Sequence, residues 1–175
     1  MKKKILMFAL SVFIFSPPIS AGECPWKVTE LENNLTTAEQ RTILAWRSAN
    51  EKDVEIASIR RAVNIDCKNK DLSSKITQFK PEISGIDINS EVTTASNLLA
   101  CIDEKRGEAK IRIANARKSG DRISERRLLE LSSMIERLSP RVFDHAVTVN
   151  QLASKLERLH REYSKLINAC EVSDF

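Results

Sequence analysis

RRLLELSSMIERLSPRVFDHAVTVNQLASKLERLHREYSKLINAC, residues 126–170, is the stretch that decides the fold. Leu128, Leu131, Ile135, Leu138, Val142, His145, Val149, Leu152, Leu156, Leu159, Tyr163, Leu166 and Cys170 alternate at spacings of three and four over 43 residues. An α-helix turns once in about 3.6 residues, so this spacing gathers them on one face. Roughly six heptads of that quality predict knobs-into-holes packing against other helices. Pro140 interrupts the run and either starts a new helix capped by Ser139 or bends a continuous one. The unbroken register favours the bent, continuous helix.

Working backwards from this segment, Ser119-Gly120-Asp121 reads as a tight reversal, with Gly120 ending one helix and Asp121 capping the next. The helix before it runs from about Glu91 to Lys118 with Val92, Ala95, Leu99, Ile102, Arg106, Ala109, Ile113 and Ala116 on one face. Arg106 is the single charge in that stripe and should meet a carboxylate on a facing helix. Further back, Thr36-Thr37-Ala38-Glu39 has the form of a capping box opening a first helix that extends to about Asp66. Trp46, Ala49, Ile56, Ile59 and Val63 line its apolar side. Residues 68–90 hold Pro81, Gly85 and scattered Ile and Phe, and read as an irregular linker with a helical turn near Ser73–Phe79.

Composition agrees with helices. The chain has four glycines, five prolines and 5% aromatics, which is poor material for sheets and phosphate-cradling loops. The expected fold is all-α: an elongated antiparallel bundle of three to four long helices with coiled-coil-like heptads, stapled by two disulfides. Cys24, Cys67, Cys101 and Cys170 form an even set, with no CxxC pair to suggest metal, haem attachment or redox exchange. If Cys67 closes the first helix level with Cys101, the pairs are Cys67–Cys101 and Cys24–Cys170. The runner-up is Cys24–Cys67 with Cys101–Cys170.

Lys2, Lys3 and Lys4 precede an apolar run from Ile5 to Phe15, then Pro17-Pro18 and a small-residue ending at Ala21. That is the pattern of a bacterial-type secretory signal peptide over residues 1–21, followed by one domain over 22–175. The eleven-residue run is too short to span a bilayer, so no transmembrane anchor is expected after signal removal. A periplasmic or secreted location follows, and it is the compartment in which disulfides persist. The whole chain carries 28 basic and 24 acidic side chains. Without the three leader lysines, 25 bases face 24 acids, so no global attraction to nucleic acid is expected.

Catalytic chemistry is hard to build here. The two histidines, His145 and His160, stand 15 residues apart, about 22 Å along a straight helix. His145 on the heptad seam reads as a hydrogen-bonded core residue, with a pH-sensitive contact or a haem ligand as minor readings. Acids alternate with Lys and Arg, the pattern of a solvated helical face. GxxxxGK[ST], GxGxxG, GxSxG and HExxH are all absent. No enzyme, cofactor or metal is predicted.

One local feature stands out. Nine bases lie between Lys105 and Arg127 against three acids, centred on the reversal at Gly120. Lys110, Arg112, Arg117, Lys118, Arg122, Arg126 and Arg127 are the candidate contacts for a partner protein with an acidic surface, for anionic glycolipid or for cell-wall polymer. The plainer reading is a solubilising face. Aromatic interleaving is lacking, which argues against nucleic-acid stacking. Ile111 and Leu129 fall off the seam and are expected to touch the first helix and the linker, with an exposed apolar strip for a partner as the alternative. The long heptads leave a homodimer open. The functional expectation is an exported, non-enzymatic protein that binds a protein partner, as an adaptor or accessory component of an envelope or secretion assembly. The alternatives are a small inhibitor of an exported hydrolase, acting through residues 68–90, and a periplasmic holdase or haem/metal carrier. In composition alone the chain resembles periplasmic holdase chaperones with helical arms; its four cysteines depart from them, and nothing is carried over.

Overall fold

Apolar residues recur at helical spacing well before Thr36. Val28, Leu31, Leu35 and Ala38 are all buried, and the first helix accordingly starts eight residues earlier than the capping box suggests. The computed structural model describes residues 24, 26–63, 70–83 and 85–171. Its elements are α1 (Val28–Val63), α2 (Lys70–Gln78), α3 (Ile88–Ser119) and α4 (Arg122–Glu171), with no strand among the described residues. Thr36 and Thr37 lie inside α1, where their hydroxyls donate to the carbonyls of Glu32 and Asn33 at 2.9 and 3.0 Å. The cap is supplied instead by Glu30, whose carboxylate accepts from the Lys27 N–H at 2.9 Å.

α4 is one helix of 50 residues with Pro140 inside it, as the unbroken heptad register implies. At 1.5 Å per residue, α1, α3 and α4 measure about 54, 48 and 75 Å. α1 and α4 run parallel in constant register: Glu39 meets Arg141 at 2.7 Å and Asp53 meets Lys155 at 3.0 Å, both 102 residues apart in sequence. α3 runs antiparallel to both.

Because α4 is the longest element, its neighbours change along its length. At its C-terminal end, Leu159 and Leu166 pack with Ile56 and Ile59 of α1 and with Leu72, Ile76 and Phe79 of α2. Further up, Leu152 meets Ala45, Ala49 and Ile83. Then Ile135, Leu138 and Val142 join Val28, Leu31, Leu35 and Ala38 of α1 and Leu98, Cys101, Ile102 and Ala109 of α3. The segment expected as an irregular linker is therefore a leg of the bundle: α2 fills it below, and Asp87 restarts it as α3 by accepting from the Asn89 N–H at 3.0 Å. Pro81 and Gly85 (φ 79°) lie in the break between the two helices. Among the described residues no helix is long and apolar enough to cross a membrane.

This arrangement overturns both expected disulfide pairings. Cys101 lies well inside α3, level with the start of α1, because α2 occupies the leg below it. Cys24 therefore bonds to Cys101, with Cα atoms 5.0 Å apart. The Cys24 N–H also donates to the Glu104 carboxylate at 2.8 Å. Cys67 lies outside the described residues. Cys170, half-buried, packs against the Ile56, Ile59, Leu159 and Leu166 cluster at the opposite end of the bundle.

The reversal between α3 and α4 forms as the sequence implies. Gly120 adopts φ 71° and ends α3, while Asp121 accepts from the Ser124 N–H at 3.0 Å to cap α4. An added Cβ at Gly120 would meet nothing within 4 Å, so Gly120→Ala isolates the backbone strain. The left-handed conformation should then cost about 1–2 kcal/mol, read as a lower midpoint in chemical denaturation. An unchanged midpoint would show that the reversal does not hold this geometry in solution.

Candidate functional site

The α3–α4 hairpin outruns α1. Val28 opens α1, and the apolar cluster around it reaches no further along the hairpin than Ala109 and Leu131. Beyond those residues α3 continues to Ser119, about 15 Å at 1.5 Å per residue. The bundle therefore ends in a two-helix arm. Its inner seam is thin: Ala109, Ile113 and Ala116 are buried on α3. Small side chains let the two backbones approach closely while burying little apolar area.

All seven predicted contact residues, Lys110, Arg112, Arg117, Lys118, Arg122, Arg126 and Arg127, lie on this arm and are exposed. Residues 110–130 hold these seven bases against Asp121, Glu125 and Glu130. Arg117 donates to Glu125 at 2.6 Å, and Arg126 pairs with Glu130 at 3.5 Å. Lys110, Arg112, Lys118, Arg122 and Arg127 make no ion pair among the described residues, so their charge faces solvent. Asp121 is committed to its cap: the hydrogen bonds with Ser124 hold its carboxyl below the usual range. Arg106 meets Glu136 at 3.1 Å and Asp103 at 3.0 Å, and also donates to Ser139. The expected seam pairing is present.

Ile111 and Leu129 are exposed rather than buried against α1 or the linker. They are 65% and 44% exposed, since α1 stops short of them, and Ile123 at 70% joins them. Ile111 stands two residues, about 200° of helical turn, from both Ala109 and Ile113, which places it opposite the seam. Nothing in the spacing of α4 alone distinguishes Ile123 from a residue covered by a neighbour; only the length of α1 exposes it.

A second feature lies where all three long helices meet. Arg141 bonds Glu39 at 2.7 Å, and Arg41 bonds the buried Glu91 at 3.0 Å. Beside these pairs sit Thr42 and His145, exposed by only 3% and 4%. Among the described residues, the Thr42 Oγ1 and His145 Nε2 atoms are both sealed from water and without a hydrogen-bond partner. The expected hydrogen-bonded core histidine is thus buried but unsatisfied at Nε2. Burial pushes the imidazole below its ordinary value; Glu39 and Glu91 pull it up and Arg41 pushes it down. A pocket of about 300 Å³ opens beside this layer, lined in part by Ile43, Asp144 and Thr148. His160 is exposed on α4, far from His145. Among the described residues no group of three or more His, Cys, Asp or Glu is placed to hold a metal ion.

Neither protein-family models, nor curated proteins, nor solved structures gave a match to this chain.

Proposed function

We propose that this is an exported, non-enzymatic helical protein that holds an acidic surface of a partner protein with its basic arm, as an adaptor or accessory component of an envelope or secretion assembly. The observation that carries this reading is the coincidence of charge and geometry. The seven bases occupy a stretch of hairpin that α1 leaves uncovered, and five of them have no ion pair among the described residues. Such charges steer encounter and set register more than they add affinity, so partner association should slow as salt rises. Export rests on the signal-like residues 1–21 and on a disulfide that an oxidising compartment would maintain. With Cys24 and Cys101 joined, Cys67 and Cys170 are the remaining pair. They would staple α1 to α4 at the other end.

An inhibitor that inserts a loop has less support. Phe79, Pro81 and Ile83, in the loop between α2 and α3, are buried against the bundle. A loop held inward in this way has little left to offer an active site.

The test is affinity capture from envelope extracts by the mature, oxidised protein and by an Arg117→Glu, Lys118→Glu, Arg122→Glu variant. Seven bases against three acids on the arm become four against six, so its formal charge moves from +4 to −2. Partner affinity should fall about 10-fold or more. The lost Arg117–Glu125 pair is exposed and should cost less than about 1 kcal/mol of stability. A partner retained equally by both proteins would move the site away from the arm.

A further inference from the structure

We propose that the layer where Thr42, His145 and the Glu39–Arg141 and Arg41–Glu91 pairs meet is an acid-sensitive latch, which holds α1 on the α3–α4 hairpin when His145 is neutral and loosens α1 when it is protonated.

The geometry supplies each part. His145 sits on the α4 seam, 96% buried by its 4% exposure, with Nε2 sealed and unpartnered. Opposite it, α1 contributes Glu39, Arg41 and the equally unpartnered Thr42; α3 contributes Glu91; and α4 itself adds Arg141 and Asp144. A proton on this imidazole needs an acceptor or water at both ring nitrogens. The nearest carboxylates, half-buried Glu39 and buried Glu91, are already taken. Glu39 is held by Arg141 at 2.7 Å and Glu91 by Arg41 at 3.0 Å, so an imidazolium would have to displace an arginine from one of them. Displacing either would leave its guanidinium, 49% exposed for Arg41 and 41% for Arg141, to water, so the cost falls on the imidazolium itself, whose Nε2 water does not reach. The easier relief is separation of α1, which hydrates all these groups together.

α1 is suited to part from the hairpin. The ion pairs that fix it against α4 at Arg141, Lys155 and Arg158 are partly exposed and can exchange for water. The Cys24–Cys101 bond tethers its N-terminal end and the Cys67–Cys170 bond proposed above would tether the other, so the motion is a reversible opening of the middle of α1. Release would uncover Leu98, Ile102, Leu138 and Val142, which α1 now covers. The neutral form is the one the fold accommodates, so protons are taken up on release. Stability at this layer is full above the free imidazole value near 6.5 and declines as pH falls through it.

Hydrogen–deuterium exchange of the α1 amides, corrected for the intrinsic pH dependence of exchange, tests this at about pH 7.5 and about pH 5 on the oxidised protein. The open fraction of α1 should rise on acidification by up to about 30-fold, the ceiling set by a free imidazole of pKa about 6.5. His145→Gln and His145→Leu should abolish that rise while α4 protection stays unchanged. Equal acid response in these variants, or none in the wild type, would overturn the latch. Should both variants unfold, the wild-type His145 imidazole titration followed by NMR decides. The latch requires His145 to protonate together with α1 opening; protonation while α1 stays protected would refute it.

Discussion

Replacing Cys24 and Cys101 together by alanine should cost about 4 kcal/mol. The bond joins residues 77 apart, so the loop it closes holds all of α1 and α2 and the first part of α3. In the chain-entropy account, a loop of that length removes about 4–5 kcal/mol of disorder from the unfolded state. Alanine is the right replacement because both cysteines are nearly buried among Val28, Leu98 and Ile102, where a serine hydroxyl would add a second penalty. For a chain of this size each kcal/mol moves the midpoint by about 2–4 °C, so thermal unfolding should fall by about 10 °C. The loss should be greatest where α1 begins. Amides at the α2 end, more than half the length of α1 away, should keep their protection until global unfolding. A midpoint shift under about 2 °C would mean that packing alone fixes the start of α1.

Leu98→Ala should be nearly as damaging, at about 3–4 kcal/mol. Leu98 is 0% exposed and belongs to the cluster that α1, α3 and α4 build together. Three helices meeting on one side chain cannot all close over the void, so the cavity term adds to the lost burial. Its neighbour Leu99 is only half-buried, and Leu99→Ala should cost about half as much or less. Urea denaturation of the two variants checks the order. Equal losses would mean that the α3 seam is rotated by one residue.

Leu98 also marks a limit of sequence reading. A 3-4 stripe through α3 selects Ala95, Leu99 and Ile102, yet Leu98 is the residue sealed from water, because two partners, α1 and α4, flank α3 at that level. A stripe records one neighbour; it does not record a second arriving from the side. The same cause misplaced the start of α1, where the Thr36–Glu39 pattern competes with a run of buried residues that continues upstream to Val28. By contrast, α4 was readable in full, Pro140 included, because thirteen seam residues outvote one missing N–H. Gly120 and Asp121 were readable because a left-handed stop followed by a carboxylate cap is a local device. The disulfide was not. Its pairing depends on how α2 and α3 divide one leg of the bundle, and no residue near Cys24 or Cys101 encodes that. The basic arm was visible as charge, but its projection depends on where α1 ends.

The same dependence makes Cys24 the decisive residue for the whole account. Bonded to Cys101, it pins the start of α1 part-way along the hairpin and leaves residues 110–130 as a free-standing basic arm. Bonded elsewhere, it would let α1 or the segment before it lie over that arm. Non-reducing proteolysis of the mature protein with mass spectrometry of the linked peptides reads this directly. The peptide carrying Cys24 should be joined to the peptide carrying Cys101, leaving Cys67 with Cys170; a Cys24–Cys170 or Cys24–Cys67 link would contradict both the fold and the arm.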